Sequence, residues 1–331
     1  MEARRLAVLA AVLAALSLAA VILHWLSVRE TGDAVLASVA ESRVSKLLID
    51  REGVETALER EGDSWRMVSP ARDAVDGNPV GDILNALLGV KLGPEVASDP
   101  ASYADYSVHE ASATRIRLYT ADQAAPAFDG YFGKGALGAD TLYLRLAARR
   151  QVYLASGVAL YQIDRHPDEF RERNVTRIDR AALESISLRS DGREVEIRKS
   201  STGWSVSGAE VSPDKLETAV DRVIGLRVGD FSDEAAIPGK TGLDRPAVDI
   251  TIRGSARSTR LLVGSPKPGP KGFPSLYRYA SVEGRPALLL VAASDLEIIT
   301  DLLGLRRPTR PLAGNRPLGP DRSGPLGPMH P

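Results

Sequence analysis

The chain has 331 residues, 44% of them apolar and 26% charged, with a formal net charge of −1 at pH 7. That balance supplies a core and offers no field for a nucleic-acid partner. No cysteine is present, which excludes disulfides, cysteine-held metals and acylation of a lipoprotein cysteine.

Residues 1–5 carry Arg4 and Arg5, and Leu6 to Leu26 then run apolar with only Ser17 and His24 interrupting. About 20 such residues at about 1.5 Å each cross a bilayer core of roughly 30 Å, so the stretch suits a membrane span. The arginines precede it, and the positive-inside rule puts residues 1–5 in the cytoplasm and everything after Val28 outside. Trp25 falls where an aromatic belt meets the headgroups. The competing reading is a cleavable signal peptide with Leu18-Ala19-Ala20 as a weak cleavage site, but the apolar run continues through Val21, Ile22 and Leu23. Residues 6–28 are read as a transmembrane anchor that contacts the lipid bilayer, and 29–43 as a linker.

An internal duplication is expected next, with a first repeat over 44–180 and a second over 181–305. Leu47-Leu48-Ile49, a turn at Asp50 to Gly53, a second strand to Leu58 and Gly62-Asp63-Ser64-Trp65 make the first order of landmarks. Ile186-Ser187-Leu188, a turn at Ser190-Asp191-Gly192, the alternating Glu194 to Ile197 and Thr202-Gly203-Trp204 repeat it. Each tryptophan opens a short strand, with Trp65 and Met67 on one face and Trp204 and Val206 on another.

Helix signals follow in both copies. Asn78-Pro79 and Ser212-Pro213 read as a cap residue with proline at the first helical position, where a missing N–H costs nothing. Val80, Ile83, Leu84, Leu87 and Leu88 form one apolar stripe, and Leu216, Ala219, Val220, Val223 and Ile224 form another. Gly89 and Gly225 are expected to end the helices just beyond their last turn.

Further strands come in matching order: Arg115 to Tyr119 against Val248 to Ile252, and Gly130 to Gly133 against Leu261 to Gly264. Leu142 to Leu144 then matches Leu276 to Tyr279, and Val152 to Leu154 matches Leu288 to Leu290. A closing helix is expected near Val158 to Ile163 and near Ser294 to Leu303. The fold class is therefore α+β: an N-terminal transmembrane helix, then two tandem repeats of an antiparallel sheet packed on helices. Residues 306–331 hold five arginines and a proline every few residues, which reads as a disordered basic tail.

With its anchor, its Gly62 to Trp65 strand followed by Ser69-Pro70, its capped helix at Asn78-Pro79 and its Thr241-Gly242-Leu243-Asp244-Arg245-Pro246, the chain resembles the bacterial domain of unknown function 4340 family. The last stretch looks like that family's Tyr-Gly-Leu-Asp-x-Pro signature. Its counterpart in the first copy, Tyr106-Ser107-Val108-His109-Glu110, lacks the glycine and the proline. The resemblance implies a protein of the bacterial inner membrane, single-pass, with its C-terminal domains in the periplasm or extracytoplasmic space. It also implies an accessory role beside ABC-type transporter components or gliding-motility-like auxiliary membrane proteins, by association only, and carries no catalytic residues.

The chemistry-bearing residues point the same way. His109 and His166 have no second ligand or base at helical spacing, and both read as surface or capping residues. Gly239-Lys240-Thr241 ends like a Walker loop, but Glu234 stands where the motif needs its first glycine, and Gly242 and Pro246 prevent the following helix. Asp168-Glu169 and Asp233-Glu234 are adjacent carboxylates, read as solvated surface rather than as a pair across a cleft. Trp65 and Trp204 are read as core rather than sugar-stacking residues. Two glycine-rich loops are candidate contact sites through Lys267 and Lys271 in one and Lys134 in the other. No catalytic, cofactor or metal residue is assigned. The expected function is a non-enzymatic accessory or scaffold subunit of an envelope transport complex; the alternatives are a cell-wall polymer-binding module and, less, an envelope hydrolase.

Overall fold

A computed structural model of the chain describes residues 35–36, 39–138, 140–232, 237, 239–270, 273 and 276–305. Among these no helix is long and apolar enough to cross a membrane. The expected anchor at 6–28, much of the linker and the tail at 306–331 lie outside the described residues.

The protein is α+β, with two antiparallel sheets. The first is built from β1 (Val44–Arg51), β2 (Val54–Glu61), β3 (Ser64–Ser69), β4 (Asp73–Ala74), β5 (Lys91–Ala97), β6 (Thr114–Thr120), β7 (Phe128–Gly135), β8 (Thr141–Leu146) and β9 (Val152–Ser156). Its spatial order is β4-β3-β2-β1-β6-β7-β8-β9-β5. The second contains β10 (Leu183–Ser190), β11 (Arg193–Ser200), β12 (Gly203–Ser207), β13 (Val228–Ser232), β14 (Val248–Gly254), β15 (Ser258–Pro266), β16 (Tyr277–Val282) and β17 (Leu288–Ala292). Its order is β12-β11-β10-β14-β15-β16-β17-β13, the same connection pattern strand for strand once β4 is set aside.

The irregularities match as well. The β1–β6 register shifts between Val44 and Lys46, and the β10–β14 register between Leu183 and Ser185. A second shift lies between Phe132 and Gly135 in β7–β8 and between Val263 and Pro266 in β15–β16. Such bulges bend and twist a strand locally, so the two sheets curve at corresponding places.

One face of each sheet is covered by helices. Period-2 burial in β6 and β14 turns Ile116 and Leu118, and Ile250 and Ile252, to the same side as Leu47 and Ile49, and Ile186 and Leu188. Helix α1 (Gly77–Gly89) lays Val80, Ile83, Leu84 and Leu87 on the first set, with the short α2 (Leu160–Ile163) contributing Ile163. Helix α3 (Pro213–Ile224) lays Leu216, Ala219, Val220 and Val223 on the second, beside Leu296 and Ile299 of α4 (Ala293–Leu302). Full burial of each large aliphatic side chain contributes about 1.5–3 kcal/mol. Trp65 and Trp204 are partly buried and pack on these cores.

The helix ends differ from expectation. Asp76, not Asn78, caps α1: its carboxylate accepts the Asn78 amide at 3.0 Å, and Pro79 sits inside the first turn, where its missing N–H is still harmless. Ser212 is the cap of α3 with Pro213 next, as the sequence indicates. Neither Gly89 nor Gly225 adopts the left-handed conformation. Gly89 instead faces Gly157, where a Cβ on Gly157 would stand 2.7 Å from the Gly89 carbonyl. Strands β4, β5 and β13 are additions to the sequence reading. β5 contains Pro94 and is mostly exposed, so it lacks the alternation that marks a half-buried strand.

The opposite face of each sheet is closed by the loop before β6 or β14. Val108 packs there with Tyr103 and Val152, and Leu243 with Tyr279, Leu288 and Leu290. The Tyr106 carbonyl accepts the Lys134 amide at 3.2 Å, and the Thr241 carbonyl accepts the Ser265 amide at 2.7 Å. At these points Gly133 and Gly264 lie beneath the loop: a Cβ on Gly264 would stand 2.8 Å from the Gly242 carbonyl carbon, and one on Gly133 would stand 2.9 Å from Val108 Cγ1. Ser107 keeps the left-handed conformation of Gly242, with φ of 56° against 67°. The first copy has lost the signature glycine but not its backbone shape.

Candidate functional site: the ionic seam between the two sheets

The segment Phe170 to Val175 joins the sheets by bonding to both. The Asp76 amide donates to the Phe170 carbonyl and the Glu172 amide to the Ala74 carbonyl, forming an antiparallel bridge between Val75 and Arg171. On its other side the Val175 amide donates to Leu226 and the Val228 amide to Arg173, with a bridge between Asn174 and Arg227. The connection therefore lies as one strand-like rung between β4 and β13.

A buried charge cluster fixes this rung. Asp73 is 1% exposed, and its carboxylate accepts from Arg171 Nε, Arg285 Nε and Arg285 Nη2, each at 2.9 Å, and from the Ala74 amide at 2.8 Å. Arg171 also donates to Asp168 at 3.1 Å, and its guanidinium lies 3.7 Å from the centre of the Phe231 ring. Arg173 lies 5.0 Å from the same ring and donates to the Val228 and Gly229 carbonyls. Arg285, on the turn between β16 and β17, reaches across to Asp73 and to the Glu172 carbonyl. The buried Glu172 accepts from Arg177 Nε and from the Asn174 amide, and Arg177 reaches back to the Val75 carbonyl. One aspartate in the first sheet thus holds one arginine from the connection and one from the second sheet. Desolvation makes such a carboxylate costly to leave unpaired, and its four donors offset that cost, whereas Arg285 Nη1 is buried without a hydrogen-bond partner.

Beside the cluster a cleft of about 620 Å³ opens between the sheets, walled by Met67, Pro70, Ala71, Pro167, Ala287 and Leu288, with Arg72, His166, Asp168, Arg171 and Ser232 among its polar groups.

His166 caps the short turn Pro167–Glu169 through Nδ1, which accepts the Asp168 amide at 3.3 Å, while Glu169 accepts the His166 amide at 2.7 Å. His109 likewise accepts the Ala111 amide at 3.3 Å and is exposed. Gly239-Lys240-Thr241 forms a turn in which the Lys240 and Thr241 amides donate to Ile237. Among the described residues no group of three or more histidine or acidic side chains could hold a metal. Lys134 is exposed on the β7–β8 hairpin, and Lys267 sits on the β15–β16 hairpin of the other sheet. Lys271, Asp233 and Glu234 lie outside the described residues.

The first sheet carries a second ionic cluster. Arg145 lies between the rings of Tyr131 and Tyr103, 4.0 and 4.6 Å from their centres. Burial raises the Tyr131 phenol above its ordinary pKa of 10.0, helped by its hydrogen-bonded neighbour Glu110 and opposed by Arg115. A bidentate bond to Asp129 raises the Arg115 guanidinium. In the second sheet the matched positions carry the pair with its charges exchanged, Asp249 on β14 and Arg260 on β15.

These features define an α+β protein whose two antiparallel sheets share one connection pattern and meet at a buried ionic seam. The chain belongs to the family Domain of unknown function (DUF4340), whose model matches residues 65–246, more than half its length. The match runs from Trp65 to Pro246 of the signature loop and takes in Asp73 and Arg171 of the seam but not Arg285. No curated protein and no solved structure matches the chain.

Sequence reasoning missed Asp73, Arg171 and Arg285. They lie in no motif and are far apart in the chain, and the segment around Asp73, Arg72-Asp73-Ala74-Val75-Asp76, shows no alternation that would mark a buried strand.

Proposed function

We propose that the protein is a membrane-anchored scaffold, a non-enzymatic accessory subunit of an ABC-type or gliding-motility-like transport complex in the bacterial envelope. Residues 6–28 cross the inner membrane once, and two tandem copies of one α+β unit stand outside it. The apolar run behind Arg4 and Arg5 supports the anchor. The shared strand order, the two matched bulges and the exchanged Arg115–Asp129 and Asp249–Arg260 pairs support the duplication.

The observation that carries the scaffold reading is the Asp73–Arg171–Arg285 cluster. It holds the two units in one fixed relation, which suits a body that presents a constant surface to partners rather than one that closes on a substrate. The two folded-region histidines spend Nδ1 on turn amides, which favours a structural over a catalytic use.

The test is affinity purification of the intact, C-terminally tagged protein from detergent-solubilised native membranes, followed by mass spectrometry. Recovery of transporter permease or auxiliary subunits, reduced when Asp73→Asn loosens the seam, is the expected result. Recovery of cell-wall fragments instead, lost with Lys134→Ala and Lys267→Ala, would replace the scaffold reading with polymer binding. Recovery of the protein alone would overturn both.

A further inference from the structure

The N-terminal segment enters the fold at one end of the first sheet. The Val35 amide donates to the Val90 carbonyl at 3.1 Å, and Leu36 is 3% exposed within the core beneath α1. Only eight residues, Ser27 to Ala34, separate this fixed point from the end of the apolar run at Leu26. Fully extended they span about 28 Å at roughly 3.5 Å per residue, so this end of the body cannot leave the neighbourhood of a membrane that holds the run.

The same end gathers exposed apolar side chains. Val90 precedes β5, whose Lys91 pairs with Ser156 at the end of β9, and Ser156 pairs in turn with Thr141 at the start of β8. The Gly157 amide donates to the Asp140 carbonyl, and the Thr141 hydroxyl to the Leu137 carbonyl, which brings the β7–β8 turn and the turn after β9 together. Neighbouring strands lie about 4.8 Å apart, so both turns stand within roughly 15 Å of the entry point. Leu137, on the first turn, is 101% exposed, and Tyr161 and Leu160, at the start of α2 just after the second, are 74% and 37% exposed. Lys91 and Lys134 are exposed beside them. A leucine, a leucine–tyrosine pair and two lysines at the end of a short tether match the depth profile of a membrane interface, where tyrosine sits at headgroup level and lysine meets anionic lipid.

We propose that this end of the first unit rests on the lipid bilayer, with Leu137, Leu160 and Tyr161 inserted among the headgroups and Lys91 and Lys134 against acidic lipid. The second unit then projects away from the tether. This deepens the anchor reading of residues 6–28 and rests on it.

The absence of native cysteine allows single labels. Full-length Leu137→Cys, Tyr161→Cys and Asp122→Cys, the last at the end where β1 starts, are labelled with an environment-sensitive fluorophore. They are reconstituted into vesicles of phosphatidylcholine with phosphatidylglycerol, alone or with headgroup spin-labelled lipid, and co-flotation is measured alongside. The expected result is that all three float, that labels at 137 and 161 shift to the blue and are quenched by the spin-labelled lipid, and that the label at 122 does neither. Flotation with three indistinguishable, solvent-like labels would overturn the docking while leaving the anchor. Failure to float would remove both.

Discussion

Replacing Asp73 by asparagine tests the seam most directly. The carboxylate takes four donors, three of them from two guanidinium groups. An asparagine in its place offers one carbonyl oxygen and turns an N–H toward the rest, so at least two donors lose their acceptor. Hydrogen bonds to charged groups contribute about 1.5–3 kcal/mol each, giving a loss of roughly 3–6 kcal/mol. Removing one partner of a buried ion pair costs about 3–5 kcal/mol, which agrees. For a folded body of this size that lowers Tm by roughly 10 °C. Differential scanning calorimetry of the full chain in detergent reads the loss. Trp65 and Trp204, one on each core, report in single-tryptophan backgrounds whether the units come apart. Arg285→Gln should cost less on top of Asp73→Asn than on its own, because part of the contact the two residues share is already lost, while the Arg285 bond to the Glu172 carbonyl remains to be broken. A Tm change below about 2 °C, the size expected of an ordinary surface substitution, would refute the claim that the cluster holds the units together.

The signature loop and the alkaline limb give two further tests. Gly264→Ala puts a methyl group against the loop at Thr241 and Gly242, and should destabilise the protein by about 1–3 kcal/mol in urea unfolding, whereas Ser107→Gly relieves a left-handed serine and should stabilise it by a few tenths of a kcal/mol. Tyr131 keeps its proton to higher pH in the folded protein than in the unfolded chain, so its contribution is complete below the ordinary tyrosine value of 10.0 and fades as pH rises through the folded value. Tyr131→Phe should remove that part of the alkaline loss of stability, and ultraviolet titration should show one phenol fewer among those ionising late.

Most of the fold was legible in the chain because its determinants are local. The alternation in Arg115 to Tyr119 and Glu194 to Ile197, the stripe from Val80 to Leu87, and Ser212-Pro213 each encode an element within a few residues. Asp76 was overlooked as a cap because Pro79, three residues downstream, pointed to Asn78, and a proline is acceptable anywhere in the first turn. β5 and β13 were overlooked because an outermost strand with one face in water needs little apolar periodicity. The seam was illegible for a different reason. A buried aspartate has the same letter as an exposed one, and what distinguishes Asp73 is a partner 212 residues away. The signature loop was seen as a motif, but its cause, a loop carbonyl resting on a glycine of a strand, became visible only with both segments in place.

The rung from Phe170 to Val175 also changes what the sheets expose. An open sheet ends in unpaired amides and carbonyls on both sides, and such rims template aggregation. Here the connection covers one rim of each sheet and bonds to it at one bridge, leaving β5 and β12 as the outer ones. β5 is interrupted by Pro94 and two register shifts, and β12 is only five residues long, both familiar defences against strand addition. Two sheets joined in this way carry no more open rim than one would alone. A third unit added through the same kind of connection would cover one rim and bring one of its own, adding none in total, so the architecture can lengthen by duplication without becoming more prone to aggregate.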